Sequence, residues 1–470
     1  MVRNVVLAAW LVVCGGAGVL ARSEPAWVGH EQPVASAVDR ESELAEAIDA
    51  LAAKYLAMPG GVGLSVAVAR GDRMLVERGY GLADVEFDVL ANAQTCFRIG
   101  SVTKQFTAAL VLRCAEEGKL SLEDELSKFV PSFPLQGRKV TIRQLLNHTS
   151  GIVSYTDLDE EWHSKWPLEL SHEELLALVK DKPFVFEPGT KWAYNNTGYY
   201  LLGMVLESVR GKPYAEIVRE ELATPLGLGR TRYDSNVELI KNRAQGYSFE
   251  GGKLANDQIL GMNQPGAAGA LVSTAGELVR WQQALAHGKV VSAASFAQMT
   301  TPTVLPDAHD TGYGFGLSID DLDGVKRVQH GGGIFGFNSM LAWFPDSDVH
   351  VAVISNGEPI NSGRLADEIA RLVLDIKVAP LLDLPIAPER LQQLAGRFKI
   401  ELIGLSATVT ARDGKLFLQG DGQGEFRLQH QGGDVFRAAF DDTLRIEFAA
   451  DGKSFTLRQG SGLFPARRIE

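Results

Sequence analysis

The sequence has little cysteine and lacks the common metal-binding motifs. It contains three cysteines in 470 residues, and only Cys96 and Cys114 lie outside an apolar N-terminal segment. Two cysteines are too few for a disulfide framework, and these two form no CxxC pair. The nine histidines contain no HExxH motif and no His-x-His pair. We therefore predict no metal site from the sequence.

The chain also lacks an excess of basic residues. Its formal net charge is -12, and no segment carries the cluster of lysine and arginine that phosphate binding needs. This argues against a nucleic-acid surface and leaves small or cationic partners open. With 45% hydrophobic and 22% charged residues, the chain has the composition of an ordinary globular protein.

A long apolar run occurs at the N-terminus. Residues 1–21 combine a basic start at Arg3, an apolar stretch from Val5 to Val13 and small residues at a cleavage position. This pattern predicts a secretory signal peptide, followed by a linker over residues 22–40. Because the run is short and broken by glycine, we expect no membrane anchoring after cleavage. An anchoring helix and lipid attachment at Cys14 are the alternatives. Export predicts a periplasmic or secreted protein.

Hydrophobic periodicity divides residues 41–378 into three regions. The first has a helix pattern, a β-hairpin pattern that turns at Gly71-Asp72, and a helix pattern from Val102 to Leu120. Helical segments separated by turns fill residues 120–300. Strand patterns return over residues 313–356, and a final helix pattern follows. Strands at both ends predict an α+β domain, an antiparallel sheet flanked by helices with an inserted helical subdomain.

The composition changes after residue 378. Residues 379–388 contain three prolines, which resist regular structure and predict a linker. Residues 389–470 alternate between short strand patterns and glycine-containing turns. About eight such strands in one small segment predict a C-terminal antiparallel β-barrel.

A serine and a lysine lie three residues apart at the start of a predicted helix. A serine hydroxyl is a weak nucleophile until a base takes its proton, and Lys104 lies on nearly the same helical face as Ser101. Because Ser101 lies at the positive end of the helix, its backbone N–H can stabilise an oxyanion. The pair alone is also typical of an N-capping serine beside a solvated lysine. Ser101 is the only serine with lysine at this spacing.

Two further motifs carry matching chemistry. Tyr194 and Asn196 form the chain's only Tyr-x-Asn, directly before an apolar helix pattern, and a tyrosine near an ammonium group can shuttle protons. His330 lies on a strand pattern before three glycines, which let a substrate approach and leave the N–H of Gly333 as a second oxyanion donor. Each motif alone is typical of a packing tyrosine or a turn.

The HGGG sequence at residues 330–333 is also typical of the oxyanion loop of α/β-hydrolase esterases. That fold requires a Gly-x-Ser-x-Gly motif at the nucleophile. No serine in this chain has glycine both two residues before it and two residues after it. The sequence therefore excludes the α/β-hydrolase fold.

Taken together, the motifs SVTK at 101–104, YNN at 194–196 and HGG at 330–332 resemble those of the penicillin-binding serine hydrolases. This family is related to class C β-lactamases, D-Ala-D-Ala carboxypeptidases and D-aminopeptidases. The segments FRIGSVTKQFTAALVL, TIRQLLNHTSGI and FEPGTKWAYNNTGYYLLG are similar to it as well. The resemblance covers about residues 40–375 and implies a β-lactamase/transpeptidase-like fold. Residues 385–470 resemble the lipocalin-like barrel appended to some members.

The resemblance implies a role for each catalytic motif residue. Ser101 would be the acylated nucleophile, and Lys104 and Tyr194 would share the general-base work. Which of the two takes the serine proton stays open. The backbone N–H groups of Ser101 and Gly333 would form the oxyanion hole.

The resemblance also implies substrate contacts through Asn196, which would bind the substrate amide, and through His330 and Gly332. His330 stands where β-lactamases of this group carry lysine, which counts against efficient β-lactam hydrolysis. Gly331 stands where a hydroxyl residue is common, so one ligand for a substrate carboxylate is missing.

These roles define an acyl-enzyme reaction that needs no cofactor. We predict a secreted serine hydrolase acting on a small peptide or amide, of the D-Ala-D-Ala carboxypeptidase or D-aminopeptidase type. The alternatives are a carboxylesterase or weak β-lactamase of the same family, and a non-catalytic module that binds or senses β-lactams or cell-wall fragments. The barrel could bind an apolar ligand, cap the cleft or mediate oligomerisation, and its sequence does not distinguish these roles.

Overall fold

The computed structural model describes residues 37–377, 380–400, 404–439, 444–459 and 462–469. They form two compact units, one that ends at Lys377 and one that follows it. The predicted signal peptide, Cys14 and residues 22–36 of the predicted linker lie outside the described residues. Among the helices that are described, none is both long enough and apolar enough to cross a bilayer.

The strands of the N-terminal unit lie mostly in one antiparallel sheet. In chain order they are β1 (Gly63–Arg70), β2 (Arg73–Asp84), β3 (Val89–Leu90), β4 (Phe97–Arg98), β5 (Arg232–Tyr233), β6 (Tyr247–Glu250), β7 (Lys253–Asn256), β8 (Leu271–Ser273), β9 (Ser318–Leu322), β10 (Val325–Ile334), β11 (Phe337–Phe344) and β12 (Val349–Ser355). The main sheet has the order β3-β2-β1-β12-β11-β10-β9. Because β1 pairs with β12, the two ends of the unit close a single sheet, as the sequence predicts.

Helices cover both faces of this sheet. In chain order they are α1 (Ala37–Leu56), α2 (Thr103–Glu116), α3 (Ile142–Leu146), α4 (Asp159–His163), α5 (His172–Ala177), α6 (Asn196–Arg210), α7 (Tyr214–Val218), α8 (Gly266–Gly269), α9 (Ala275–Ala286), α10 (Ala293–Met299) and α11 (Ser362–Leu374). Along the chain, the helices from α3 to α8 come after the N-terminal strands of the main sheet and before its C-terminal strands. This arrangement confirms the predicted α+β fold with an inserted helical subdomain.

Successive side chains of β1 enter two different cores. Val66 and Val68 pack in the core that contains residues of α1 and α11. Ala67 and Ala69 belong to a larger core with residues of α2, α6 and α9, where the rings of Phe106 and Trp281 stack at 3.9 Å. A period of two with burial on both faces is the pattern of a central strand between two helical layers.

The strand predicted to begin at Tyr313 begins later, at Ser318. Gly316 has a φ of +68°, a left-handed conformation that interrupts an extended chain. The apolar alternation of YGFGLSI is therefore a buried loop followed by β9. This difference leaves Tyr313 free to contact the candidate site.

The second unit is a closed antiparallel barrel, as predicted. It contains α12 (Pro388–Leu394), β13 (Gly396–Ile400), β14 (Leu405–Arg412), β15 (Lys415–Gly420), β16 (Phe426–Gly432), β17 (Val435–Ala438), β18 (Arg445–Phe448), β19 (Ser454–Gln459) and β20 (Gly462–Arg468). Pairing of β13 with β20 closes the barrel. Phe398, Phe436, Phe448 and Phe455 occupy its core together with Leu394 of α12. An eight-stranded barrel is narrow enough for side chains to fill it.

Candidate active site

Ser101 lies in a 3-10 turn, Gly100–Val102, that leads directly into α2. Gly100 has a φ of +48°, a conformation that glycine adopts without steric cost. A Cβ at this position would also lie 2.9 Å from the backbone nitrogen of Gly333. Both the conformation and the close approach therefore require glycine at position 100. As a result, the turn that carries Ser101 packs against β10 at Gly333.

Lys104 is completely buried in α2. Its Nζ lies 3.0 Å from Ser101 Oγ and donates to Asn196 Oδ1 at 2.8 Å and to the Ala268 carbonyl oxygen at 2.8 Å. Burial lowers the pKa of Lys104 well below its ordinary value, because the ammonium group loses its hydration. Asn196 Oδ1 and the Ala268 oxygen only accept hydrogen bonds. In the neutral amine, these two oxygens hold the two hydrogens, and the lone pair faces Ser101.

Tyr194 places its hydroxyl beside Ser101. The hydroxyl is buried and has no hydrogen bond of good geometry to any residue that the structure describes. Burial raises the pKa of Tyr194, and contact with Ser101 lowers it by a smaller amount. The Tyr194 ring also faces Lys104 Nζ, 4.8 Å from its centroid. Tyr194 is therefore a neutral phenol whose proton is available to a group bound next to Ser101.

Asn196 is the first residue of α6 and is fixed at both ends of its amide. Nδ2 donates to Thr156 Oγ1 at 3.1 Å, and Oδ1 accepts from Lys104. Because the Lys104 ammonium or amine can donate to an oxygen, its contact identifies Oδ1 of the Asn196 amide, and the atom that faces Thr156 is Nδ2. The side chain therefore orients Lys104, and its predicted contact with a substrate amide stays a prediction.

His148 holds the loop that carries Tyr194. Its Nδ1 accepts from the N–H of Asn195 at 3.1 Å, and its carbonyl oxygen accepts from the N–H of Ala193 at 3.1 Å. Burial, with smaller effects of Lys104 and His330, lowers the pKa of His148 well below its ordinary value. The ring is therefore neutral with its proton on Nε2. It positions the loop, and Asn195 Oδ1 then caps α6 by accepting from the N–H of Gly198 at 2.7 Å.

His330 lies on β10 and is buried. Its Nδ1–H donates to the Gly331 carbonyl oxygen at 2.6 Å, so its Nε2 accepts from the Tyr313 hydroxyl at 2.9 Å. Burial, with a smaller effect of Lys104, lowers the pKa of His330 to about 3. The imidazole is therefore neutral, both of its nitrogens are hydrogen-bonded within the protein, and it offers no positive charge to a substrate.

The three glycines after His330 continue β10. They pair in register with residues 338–340 of β11, so this segment is not a turn. A Cβ on Gly332 would lie 2.0 Å from the Ile99 carbonyl oxygen, which shows how closely β10 approaches the residues before Ser101. β9 pairs with β10 only over residues 325–329. Within the described residues, no strand pairs with the other edge of β10 at Gly331 to Gly333.

The structure therefore brings the three sequence motifs together around Ser101. Three contacts of the site have no signal in the sequence. Tyr313 lies in a segment whose pattern predicted a strand, Thr156 follows a turn, and Ala268 contributes a backbone oxygen. A nucleophile, a buried amine and an available phenol within one site can carry out acyl transfer.

The sequence matches two described families. Residues 48–375 match the family described as Beta-lactamase. Residues 385–459 match a domain of unknown function, DUF3471. The first match covers more than half of the chain and contains all the residues of the candidate site.

Individual relatives agree with this match. Penicillin-binding protein 4* of Bacillus subtilis (strain 168) is 28% identical over 311 residues, which are 63% of this chain and 68% of the relative. The structure of an octameric penicillin-binding protein homologue from Pyrococcus abyssi is 26% identical, has a TM-score of 0.64 and covers 91% of this chain and 99% of its own. The structure of a D-stereospecific amidohydrolase from Streptomyces sp. is 28% identical, has a TM-score of 0.59 and covers 70% and 97%.

Proposed function

The chain belongs to the β-lactamase family of serine hydrolases, and we propose that it hydrolyses the amide bond of a D-amino acid amide or short peptide through an acyl-enzyme on Ser101. The observation that carries the proposal is the 3.0 Å contact between Ser101 Oγ and the Nζ of buried Lys104. A non-catalytic binding module has no chemical need for this contact or for the available Tyr194 hydroxyl.

In the first step, Ser101 Oγ attacks the amide carbonyl carbon while Lys104 takes the hydroxyl proton. Lys104 is the better base, because burial favours its neutral form, whereas burial of Tyr194 disfavours the phenolate. The N–H groups of Ser101 and Gly333 stabilise the oxyanion. The C–N bond then breaks, and Tyr194 donates its proton to the leaving nitrogen.

In the second step, water attacks the acyl carbon and the ester bond to Ser101 breaks. Tyr194, which lost its proton in the first step, takes a proton from the water, and Lys104 returns its proton to Ser101 Oγ as the free acid leaves. The two groups thus return to their starting protonation states. This order uses each group once as an acid and once as a base.

The state of His330 favours a substrate without a free carboxylate after the scissile bond. A carboxypeptidase must bind the terminal carboxylate of its substrate, and charge-assisted hydrogen bonds are the usual means. His330 is neutral and its nitrogens are occupied, and Gly331 has no side chain to add a ligand. The site therefore fits an amidase or aminopeptidase better than a D-Ala-D-Ala carboxypeptidase. The similarity to a D-stereospecific amidohydrolase supports the D configuration.

The test compares four substrates: D-phenylalanine amide, L-phenylalanine amide, a peptide ending in D-Ala-D-Ala, and a p-nitrophenyl ester. We expect the D-amide to be hydrolysed at least about tenfold faster than the L-amide, and the D-Ala-D-Ala peptide to be the poorer amide substrate. The Ser101→Ala variant should lose on the order of 10⁴-fold or more in kcat. A matched control, Ser164→Ala, changes an exposed serine and should keep full activity.

Other outcomes would overturn parts of the proposal. Preference for the L-amide would contradict the stereochemistry, and faster release of D-Ala from the peptide would restore the carboxypeptidase interpretation. Hydrolysis of the ester alone would identify an esterase. Ligand binding without any turnover would identify a binding module.

We also place this activity outside the cytoplasm, on the basis of the predicted signal peptide at residues 1–21. Cell fractionation followed by N-terminal sequencing tests this. The expected mature protein is periplasmic or secreted and begins near residue 22. Recovery of an uncleaved chain from the cytoplasm would contradict the assignment.

A further inference from the structure

His287, Asp348 and His350 converge at one end of the main sheet. His287 follows the last residue of α9, Asp348 lies in the turn between β11 and β12, and His350 lies on β12. His287 Nε2 is 3.1 Å from Asp348 Oδ2, and His350 Nε2 is 3.2 Å from Asp348 Oδ1. One ligand atom from each residue lies within 4.8 Å of the others. Two imidazole nitrogens therefore face the two oxygens of one carboxylate.

The other nitrogen of each ring faces an oxygen acceptor. His350 Nδ1 is 3.3 Å from Gln282 Oε1, and His287 Nδ1 is 3.4 Å from Asp72 Oδ1. In the tautomer that carries its proton on Nδ1, each ring directs that N–H toward one of these oxygens and its Nε2 lone pair toward Asp348. In that tautomer a proton or a metal cation must lie between each lone pair and the carboxylate, because the two otherwise repel one another. Histidines that bind a metal usually donate their second N–H to an oxygen in this way.

The distances fit a single small cation. Zinc binds imidazole nitrogen and carboxylate oxygen at about 2.0–2.2 Å in tetrahedral geometry, which places two ligands of one ion about 3.3 Å apart. The two nitrogen-to-oxygen distances, 3.1 Å from His287 Nε2 to Asp348 Oδ2 and 3.2 Å from His350 Nε2 to Asp348 Oδ1, are close to this spacing, and each ring faces a different oxygen of the carboxylate. Trp343 Nε1–H donates to Asp348 Oδ1 at 3.0 Å and fixes the carboxylate. His350 is completely buried, so its ring is held in place before any ion binds.

We propose that His287, Asp348 and His350 bind a divalent transition-metal ion, with zinc as the best match, and that this ion joins the end of α9 to the β11–β12 turn. Two imidazoles and one carboxylate are a donor set that suits zinc and its neighbours, whereas magnesium and calcium prefer oxygen ligands alone. Three protein ligands leave the fourth position of a tetrahedral ion to water.

This site is separate from Ser101, and the inference does not depend on the proposed function. His350 pairs with Trp343 of β11, whereas Gly333 beside the Ser101 turn pairs with Asn338. Trp343 and Asn338 are five positions apart on β11, which is about 17 Å along a strand. The ion would therefore stabilise the fold and take no part in hydrolysis. Its binding energy would add to the stability of the folded state.

The test titrates ZnCl₂ into the chelator-treated full chain and follows binding by calorimetry and thermal unfolding. We expect one zinc ion per chain and a rise in Tm of about 5 °C at zinc concentrations a hundredfold above Kd. Co²⁺ in the same site should show the strong visible absorption of a tetrahedral ion. Hydrolysis at Ser101 should be unchanged by zinc at a temperature where both forms are folded.

Two variants and one control locate the ion. His287→Ala removes an exposed ligand at a helix end and should abolish the Tm rise, with folding checked by circular dichroism. Asp348→Asn should do the same with little change in shape. The control His309→Ala changes an exposed histidine in the loop before β9 and should bind zinc like the unmodified chain. The proposal is wrong if the unmodified chain binds no stoichiometric zinc, or if either ligand variant retains full affinity.

Discussion

Replacement of Gly332 by alanine should damage the site through backbone displacement alone. The new Cβ would lie 2.0 Å from the Ile99 carbonyl oxygen and 2.4 Å from Ser339 Oγ. The serine side chain can rotate, but the carbonyl belongs to the strand end that precedes Ser101. Since a Cβ does not approach an oxygen closer than about 3.0 Å, β10 and the Ser101 turn must separate by roughly 1 Å.

The displacement of about 1 Å determines the expected loss of activity and stability. Gly333 adjoins Gly332 and carries the predicted second oxyanion donor, so its N–H moves with the strand. A misplacement of about 1 Å in a catalytic group costs about 10²-fold in rate. Overpacking of a close contact also costs about 1–3 kcal/mol of stability. We expect Gly332→Ala to lower kcat/KM by about 10²-fold and the free energy of unfolding by about 1–3 kcal/mol.

The neighbouring glycine provides the matched control. A Cβ at Gly331 would meet nothing closer than Met340 Cε at 3.5 Å, which is an ordinary contact. Gly331→Ala should therefore keep kcat/KM within about threefold of the unmodified enzyme. The assay measures steady-state hydrolysis of the preferred amide and urea unfolding for both variants. Equal activity of the two variants would refute the argument that β10 must lie directly against Ile99.

Three further predictions concern the base Lys104, the start of α6 and the hydrogen bond to His330. Because burial lowers the pKa of Lys104, kcat/KM should rise with pH as Lys104 loses its proton and should reach half its maximum well below the ordinary lysine pKa. The Lys104→Arg variant should be inactive at every pH, since a guanidinium does not lose its proton. A pH profile that rises only near the ordinary lysine pKa would contradict this. Asn195→Ala should lower the free energy of unfolding by about 1 kcal/mol through loss of the cap on α6 while retaining activity. Asn196→Ala should lose activity with little change in stability. Thermal unfolding and turnover, measured on both variants, would show whether the cap and the site are separable. Tyr313→Phe removes the donor to His330 Nε2 and should cost about 1–3 kcal/mol in urea unfolding, because a buried acceptor is left without a partner; an unchanged midpoint would mean that the hydrogen bond contributes nothing.

Much of the fold follows from local patterns. Periodicity and turn residues predicted the hairpin around Gly71-Asp72, the helix after Ser101 and the closed barrel of eight short strands, and the structure contains all three. The beginning of β9 was predicted five residues too early, because the apolar alternation near Tyr313 reports burial and not strand pairing. Gly316, in a left-handed conformation, interrupts the extended chain before β9, and periodicity does not reveal φ.

Part of the candidate site could also be predicted from local sequence motifs. Ser101, Lys104, Tyr194, Asn196 and His330 lie in compact motifs, and the structure brings them together. Tyr313 reaches His330 from a loop 17 residues away, a contact that depends on tertiary packing. In the cluster of His287, Asp348 and His350, His287 lies 61 residues before Asp348, so the short-range spacing that identifies metal motifs does not reveal it.

Whether Ser101 is the acylated nucleophile can be tested by intact-mass spectrometry of the full chain, quenched shortly after mixing with p-nitrophenyl acetate and followed by peptide mapping. We expect one acetyl group per chain on the peptide that contains Ser101, no label on that peptide in Ser101→Ala, and a strongly reduced labelling rate in Lys104→Arg. Acetylation at another residue, or equal labelling of the Ser101→Ala variant, would contradict the central claim that Ser101 is the acylated nucleophile.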